Sequence, residues 1–90
     1  MSGPSRVRVA LKLYASLADY LPPDARTTHR LELDVPAGTT VADVITEQNL
    51  PPKMCHLVLV NGRFIPPAER KTCALNASDE LAIWPPIAGG

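Results

Sequence analysis

Apolar and polar residues alternate in two stretches near the start of the chain, which is typical of strands that bury one face. Residues 7–13 place valine and leucine on one face and basic side chains on the other, and residues 31–35 alternate leucine and valine with acidic side chains. Between them, residues 15–21 predict a short helical turn that ends at Pro22-Pro23, because proline fixes φ and donates no backbone hydrogen bond. The pattern therefore predicts two strands separated by a turn and a polar loop.

A helical period follows the second strand. Thr39 or Thr40 is positioned to cap a helix, and Asp43, three residues after Thr40, suits a capping box. Valine and isoleucine then recur at intervals of three and four residues, which places them on one helical face. The sequence predicts a helix over residues 41–48 that ends before the next pair of prolines and is short enough to need a sheet to pack on.

The second half of the chain predicts three more strands, over residues 56–60, 63–65 and 80–84. Asn61-Gly62 is a strong hairpin signal between the first two, because both central residues of a type I′ turn need positive φ. The element order β-β-α-β-β-β predicts an α+β fold, a mixed sheet of about five strands with one main helix on one face. We expect one domain over residues 1–84 and an extended tail over residues 85–90.

Composition and charge narrow the function classes without changing this fold. The 90 residues carry nine basic and nine acidic side chains, so no concentrated basic face is expected for nucleic acid. No apolar run approaches the roughly 20 residues that a membrane-spanning helix needs, and the first residues have no apolar signal core. These features predict a cytoplasmic protein that binds neither nucleic acid nor membrane.

Candidate metal ligands and nucleophiles are few. Cys55 and His56 are adjacent, and adjacent side chains at the start of a strand point to opposite faces, so they do not make a ligand pair. Cys73 has no basic neighbour that the sequence places to lower its pKa, and it is interpreted as a small hydrophobic residue. The sequence also lacks a glycine-rich phosphate loop. It therefore predicts no metal site and no cofactor bound by this chain.

The last ten residues contain no charged side chain. Pro85-Pro86 favours an extended path, which lowers the entropy lost when a partner's groove takes up the segment. Gly89 and Gly90 have no Cβ, so a partner's backbone can close around them. The functional group that such a tail presents is the α-carboxylate of Gly90. A mixed anhydride with AMP would activate it, and displacement of AMP by a sulfur nucleophile would give a thioester or, after release, a thiocarboxylate.

Five segments together carry a resemblance to a known family. They are residues 13–17 (Leu-Tyr-Ala-Ser-Leu), 38–44 (Gly-Thr-Thr-Val-Ala-Asp-Val), 60–62 (Val-Asn-Gly), 79–81 (Asp-Glu-Leu) and 85–90 (Pro-Pro-Ile-Ala-Gly-Gly). Through them the chain resembles the MoaD/ThiS family of ubiquitin-like sulfur carriers, and most closely the small subunit of molybdopterin synthase. The last segment is the most specific, because members of the molybdopterin type end in a Pro-Pro-aliphatic-small-Gly-Gly tail.

The resemblance implies a fold and a role. The fold is the β-grasp, with the first and last strands parallel at the centre of the sheet. An E1-like adenylyltransferase would use ATP to adenylate Gly90, and a sulfurtransferase would supply sulfur for the thiocarboxylate. The tail would then enter the large subunit of molybdopterin synthase and give sulfur to a cyclic pyranopterin, building the dithiolene that holds molybdenum or tungsten. The chain alone would not be catalytic.

The resemblance also implies which residues bind these partners. An apolar patch would include Phe64 and Trp84, next to the tail residues Pro85, Pro86, Ile87 and Ala88. The sequence departs from the family at two places. The family often has phenylalanine where Trp84 stands, which predicts an altered partner fit. It also has a Gly-Asp turn where this chain has Ala77-Ser78-Asp79, which predicts a change in turn geometry alone.

Three alternatives remain open at the level of the sequence. The chain is a sulfur carrier for another product, such as the thiamin thiazole, a tungsten-specific pterin or a thiolated tRNA base. It is a protein modifier, in which a lysine attacks the activated Gly90 to form an isopeptide bond. Or it is an interaction domain without covalent chemistry, whose activity would survive deletion of Gly89-Gly90.

Overall fold

The computed structural model describes residues 5–86, which form one sheet with a helix packed on one of its faces. The strands are β1 (Arg6–Leu13), β2 (Arg30–Pro36), β3 (Leu57–Val60), β4 (Arg63–Phe64) and β5 (Glu80–Trp84), and the helix is α1 (Val41–Glu47). Within these residues four 3-10 turns connect them: Ala15–Tyr20, Pro23–Ala25, Pro52–Met54 and Pro67–Glu69. The predicted α+β class, with five strands and one main helix, is confirmed.

The strands lie in the order β2-β1-β5-β3-β4. The first and last strands in sequence, β1 and β5, are neighbours at the centre and run parallel, with Leu11 opposite Leu81 and Leu13 opposite Ile83. The other three pairs are antiparallel. The central parallel pair is the arrangement that the resemblance to the sulfur carriers implies.

The core lies between α1 and the sheet. Leu11, Val58 and Leu81 come from three strands of the sheet and are fully buried. Val41 and Val44 of α1 belong to the same cluster and are buried to the same degree. Each such side chain contributes about 1.5–3 kcal/mol when it leaves water. A helix of seven residues is too short to be stable by itself, so this apolar face is what holds it.

The start of α1 confirms the predicted capping box. The Thr40 hydroxyl accepts a hydrogen bond from the Asp43 N–H at 3.1 Å, and the Asp43 carboxylate accepts one from the Thr40 N–H at 3.0 Å. Thr39 has a different role, because it is buried and its hydroxyl donates to the Pro36 carbonyl at 2.7 Å. The helix ends at Glu47, one residue earlier than predicted, since Gln48 already leaves the helical region with ψ near 3°.

The proline pairs start elements as well as ending them. In three of the four pairs the second proline begins a 3-10 turn, namely Pro23, Pro52 and Pro67. Proline suits the first position of such a turn, because the N–H of a residue there has no acceptor within the turn. The N–H that proline lacks is therefore not needed. The predicted turn over residues 15–21 is present as the 3-10 turn Ala15–Tyr20, which ends one residue earlier than predicted.

Two strands are one residue shorter than predicted. β3 begins at Leu57 rather than at residue 56, because the preceding 3-10 turn closes at Cys55, whose N–H donates to the Pro52 carbonyl at 3.1 Å. β4 ends at Phe64 rather than at residue 65, where Pro66 follows and cannot donate to a ladder. Neither change moves a side chain to the other face of the sheet.

Candidate functional site

The face of the sheet opposite α1 is termed the open face, and its two halves differ in chemistry. One half, termed the charged half, lies over β2, β1 and the start of β5. There Arg30 is hydrogen-bonded to Glu32 at 2.9 Å and to Glu80 at 3.0 Å, and the Lys12 ammonium lies 3.8 Å from the Glu80 carboxylate. The hydrogen bond to Glu32 is the main reason why the pKa of the Arg30 guanidinium is raised. Arg30 and Lys12 of the charged half thus have carboxylate partners within the chain.

The other half, over β3, β4 and the end of β5, is termed the apolar patch. The strand register places Leu57 opposite Trp84, and Leu59 opposite both Ala82 and Phe64, so these five side chains share the open face. Phe64 is 48% exposed and Leu57 is 38% exposed. Large apolar side chains that are grouped and exposed in this way mark interaction surfaces. The structure therefore brings the predicted residues Phe64 and Trp84 onto one surface, and it adds Leu57 and Leu59.

Trp84 is held by a column of rings, termed the aromatic stack. Its ring lies parallel to that of Tyr14, with centroids 4.3 Å apart and an interplanar angle of 5°. Tyr14 in turn stacks on His29 at 5.4 Å, and the Lys12 ammonium lies 5.9 Å from the centroid of the Tyr14 ring. An aromatic pair contributes roughly 0.5–1.5 kcal/mol beyond the area that it buries. The stack therefore fixes the orientation of Trp84 at the end of β5.

The tail leaves the domain from this end of β5. Trp84 is the last residue of the strand, and its carbonyl accepts a hydrogen bond from the His56 N–H at 3.0 Å. Pro85 is half-buried and Pro86 is exposed. The path into the tail thus starts from a central strand that is hydrogen-bonded on both sides. The remaining predicted site residues, Ile87, Ala88, Gly89 and Gly90, lie outside the described residues.

The opposite end of β5 is fixed by the hairpin turn. Asn61 and Gly62 have φ values of 52° and 84°, as a type I′ turn requires, so this prediction is confirmed. The Asn61 side chain also donates to the Asp79 carboxylate at 2.8 Å and accepts from the Glu80 N–H at 2.9 Å. Asn61 therefore also holds the start of β5 in place, in addition to forming the hairpin turn.

The turn before β5 keeps a conformation that glycine adopts easily. Ser78, within the departure from the family's Gly-Asp turn, has a φ of 71°, in the left-handed region that is uncommon for other residues. Its N–H donates to the Arg8 carbonyl at 2.8 Å, and the Asp79 carboxylate accepts from the Asn76 N–H at 2.8 Å. These contacts hold the turn in place, so the departure leaves the entry to β5 intact.

The cysteines do not make a reactive or metal-binding centre in the described part of the chain. Burial raises the pKa of the Cys55 thiol, an effect that the nearby Arg70 charge partly offsets, so the thiol is neutral near pH 7. Cys73 is half-buried. Between residues 5 and 86, no three His, Cys, Asp or Glu side chains come together as a metal site would require. None of the helices formed by these residues combines the length and apolar character needed to span a membrane.

The comparisons with known proteins agree with this geometry. The sequence model of the ThiS family matches residues 14–90. The structure is similar to that of the HVO 2177 protein of Haloferax volcanii, with a TM-score of 0.74 at 20% identity over 100% of this chain and 92% of the other. A search of curated protein sequences gives no match.

Two further similar structures are those of small archaeal modifier protein 1. The protein from Haloferax volcanii has a TM-score of 0.65 at 26% identity, with 92% of this chain and 99% of the other covered. The protein from Methanosarcina acetivorans has a TM-score of 0.62 at 27% identity, with 94% and 98% covered. These neighbours share the ubiquitin-like β-grasp fold, which confirms the fold that the resemblance implies.

Proposed function

The chain belongs to the ThiS family of ubiquitin-like sulfur carriers, and on that premise we propose that its Gly90 carboxylate becomes a thiocarboxylate that supplies sulfur to the molybdopterin dithiolene. The observation that carries the proposal is the extent of the family match, which continues through residue 90 and so includes the Gly-Gly end. The chain is then the small subunit of molybdopterin synthase, and it acts as a carrier rather than as a catalyst.

The chemistry takes place in two steps on Gly90. First, a carboxylate oxygen attacks the α-phosphorus of ATP in an E1-like enzyme, pyrophosphate leaves and an acyl-adenylate forms. The persulfide of a sulfurtransferase cysteine then attacks the acyl carbon and AMP leaves. A thiol cleaves the resulting S–S bond, which releases the thiocarboxylate and leaves a disulfide with the donor cysteine. Adenylation is needed because a free carboxylate repels nucleophiles and has no good leaving group.

The apolar patch supports this role because the carrier must be held while its tail is modified. The exposed Phe64 and Leu57 share a surface with the half-buried Trp84, the last residue before the tail, so one partner surface can cover the patch and receive the tail together. Burial of apolar area supplies the binding energy, at roughly 25 cal/mol per Å². Because Gly89 has no side chain, the segment next to the reacting carbon is narrow enough to enter an enclosed site.

The proposal is tested by intact-mass measurement after incubation with ATP, an E1-like adenylyltransferase, a persulfide donor and a thiol that cleaves the acyl disulfide. We expect one oxygen of the chain to be replaced by sulfur. The thiocarboxylated chain, added to the large subunit and the cyclic pyranopterin, should then yield the dithiolene and return to the carboxylate form. Sulfur transfer to other acceptors, with no dithiolene formed, would contradict the molybdopterin assignment while leaving the carrier role in place.

Two variants sharpen that test. One alanine added after Gly90 should abolish sulfur loading, because the carboxylate is then displaced from the reacting position. Gly89→Val should block loading by its bulk. The same alanine added before Met1 is the matched control and should load normally. Circular dichroism should be unchanged in all three, since none of them alters residues 5–86, and normal loading of the C-terminally extended chain would overturn the proposal.

The similarity to small archaeal modifier protein 1 favours a second candidate, a ubiquitin-like protein modifier. In that role the activated Gly90 carbonyl is attacked by a lysine of another protein and an isopeptide bond forms. Incubation with ATP, the E1-like enzyme and cell extract distinguishes the two. A ladder of heavier conjugates that requires Gly90 supports the modifier, and replacement of oxygen by sulfur without a ladder supports the carrier.

A further inference from the structure

A groove lies on the α1 side of the molecule, away from the apolar patch. It has a volume of about 470 Å³ and runs between α1 and the two proline-started turns at Pro52–Met54 and Pro67–Glu69. Its apolar surface comes from Ile45 of α1 and from Pro52 and Pro67 on the facing turns. Ligand sites in proteins fall in this range of volume. The groove is termed the basic groove for the side chains at its rim.

The charged side chains that line the basic groove all have one sign. Lys53, Arg70 and Lys71 line it, and no carboxylate does. Among residues 5–86, neither Lys53 nor Lys71 forms an ion pair. Both lysines are exposed. The chain as a whole is neutral, so this local excess of positive charge is not a consequence of its composition.

Arg70 gives the groove a fixed wall. Its Nε donates to the Ile65 carbonyl at 3.2 Å, and its Nη1 donates to the Cys55 carbonyl at 2.9 Å. These bonds join the turn after β4 to the segment before β3, and they leave the positive charge inside the groove. The Cys55 thiol beside it stays neutral, so it does not offset that charge.

The groove lies beside the exit of the tail. His56 lines it, and the His56 N–H donates to the carbonyl of Trp84, the last residue of β5, at 3.0 Å. A protein that draws in the tail therefore passes close to the groove, whereas a free metabolite has no such reason to be there. Position and charge together favour a segment of a protein partner as the occupant.

We infer that the basic groove binds an acidic peptide segment of a protein partner, with an apolar side chain seated against Ile45 and Pro52 and carboxylates beside Lys53 and Lys71. Opposite charge at a rim steers association and selects partners more than it adds affinity. The groove and the apolar patch are on different sides of the sheet, so one partner can hold the domain from both. The choice of a protein as occupant rests on the proposed uptake of the tail by a partner, whereas binding to the groove does not depend on the thiocarboxylate.

The test uses the full chain and a short synthetic peptide in which one phenylalanine is flanked on both sides by aspartate and glutamate. A matched peptide carries asparagine and glutamine instead. In an NMR titration we expect the acidic peptide to shift the backbone amides of Ile45, Cys55 and Lys71 and to saturate, and the neutral peptide to bind at least about tenfold more weakly, a difference of about 1.4 kcal/mol. Affinity should fall with salt, since the Debye length shrinks from roughly 30 Å at 0.01 M to 3 Å at 1 M.

Charge-reversal variants locate the site. Lys53→Glu and Lys71→Glu should each weaken the acidic peptide by at least about threefold, within the range measured for exposed charges. Arg8→Glu, an exposed change on the open face, is the matched control and should bind as the unaltered chain does. Lys53→Gln and Lys71→Gln replace any reversed variant that fails to fold.

Three results would overturn the inference. The first is no saturable binding of the acidic peptide at millimolar concentration. The second is equal binding of the neutral peptide or of the lysine variants. The third is a shift confined to Leu57 and Phe64, which would place the peptide on the apolar patch. A chain that binds the peptide but never gains sulfur would leave the groove standing and contradict the proposed function instead.

Discussion

The two halves of the open face lie on the same sheet and differ in their side chains: one half pairs charges, and the other exposes apolar groups to water. In the charged half, Arg30 contacts two carboxylates, and Arg6 lies 3.4 Å from Asp34. Lys12 also lies 3.8 Å from the Glu80 carboxylate. In the apolar patch, Phe64 and Leu57 are more than a third exposed, and no side chain of the described residues removes them from water. The charged half is suited to contact with water, and the apolar patch is suited to contact with another protein.

The difference arises from strand composition. β1 and β2 alternate, so long charged side chains occupy their open face and meet across the pair. β3 is apolar at all four positions, Leu57–Val60, and buries only Val58 and Val60 in the core. An unbroken apolar run is expected in a strand covered on both faces. Here one face is uncovered, and that mismatch between pattern and burial identifies the apolar patch as the candidate interaction surface.

Trp84→Ala should have the largest effect on stability and on sulfur loading, because Trp84 belongs to both the apolar patch and the aromatic stack. We expect the free energy of unfolding in urea to fall by about 2 kcal/mol, less than the 3–5 kcal/mol of a fully buried aromatic, since Trp84 is half-buried. Sulfur loading should slow at least about tenfold. Trp84→Phe keeps a ring and should retain most of both properties, and an alanine variant as stable as the unaltered chain would contradict the role of the stack.

Phe64→Ala tests the apolar patch without the core. The ring is 48% exposed on an edge strand, so the free energy of unfolding should change by less than about 0.5 kcal/mol. Affinity for the E1-like enzyme, measured by calorimetry, should fall about tenfold, as for a central interface aromatic.

The matched control for Phe64 is Tyr20→Ala. Tyr20 is 43% exposed and lies in the 3-10 turn Ala15–Tyr20, off the sheet. It should leave affinity unchanged. Equal losses for the two variants would show that exposed aromatic area in general, and not the patch, determines binding.

A double-mutant cycle on Tyr14 and Trp84 measures the stack itself. With Tyr14→Ala, Trp84→Ala and the double variant, we expect a coupling free energy of about 1 kcal/mol from urea denaturation. The parallel rings at 4.3 Å are the physical reason. A coupling near zero would mean that Trp84 is held by the strand alone.

Glu80→Gln should have the smallest effect, and it tests the charged half of the open face. Glu80 contacts Arg30 and Lys12 on an exposed surface, so its loss should cost less than about 1 kcal/mol of unfolding free energy, and less still in high salt. Affinity for the E1-like enzyme should not change. A loss comparable to that of Phe64→Ala would show that the charged half also contacts the partner.

The periodicities in the sequence predict most of the fold, since the strands and α1 appear within one residue of the expected bounds. The central parallel pairing of β5 with β1 follows from the family resemblance, because periodicity carries no information on strand order. The same resemblance points to Phe64 and Trp84, and the structure places them on one face. Their role in binding stays a prediction, as does the chemistry of Gly90.

The aromatic stack and the basic groove could not be predicted from the sequence. The rings of the stack come from positions 14, 29 and 84, and the groove combines α1 with residues on either side of β3 and β4. Such groupings depend on tertiary contacts between segments that are distant in the chain. The sequence does offer one signal for the stack. Tyr14 is an aromatic residue directly after a predicted strand, and it lies in the family segment at residues 13–17.

The central place of β5 has a mechanical consequence. Traction on the C-terminus acts along a strand that is bonded to β1 on one side and to β3 on the other. Those two ladders are loaded in shear, so their bonds must fail together, whereas an edge strand would peel away one bond at a time. The domain should therefore resist unfolding when force is applied to its C-terminus.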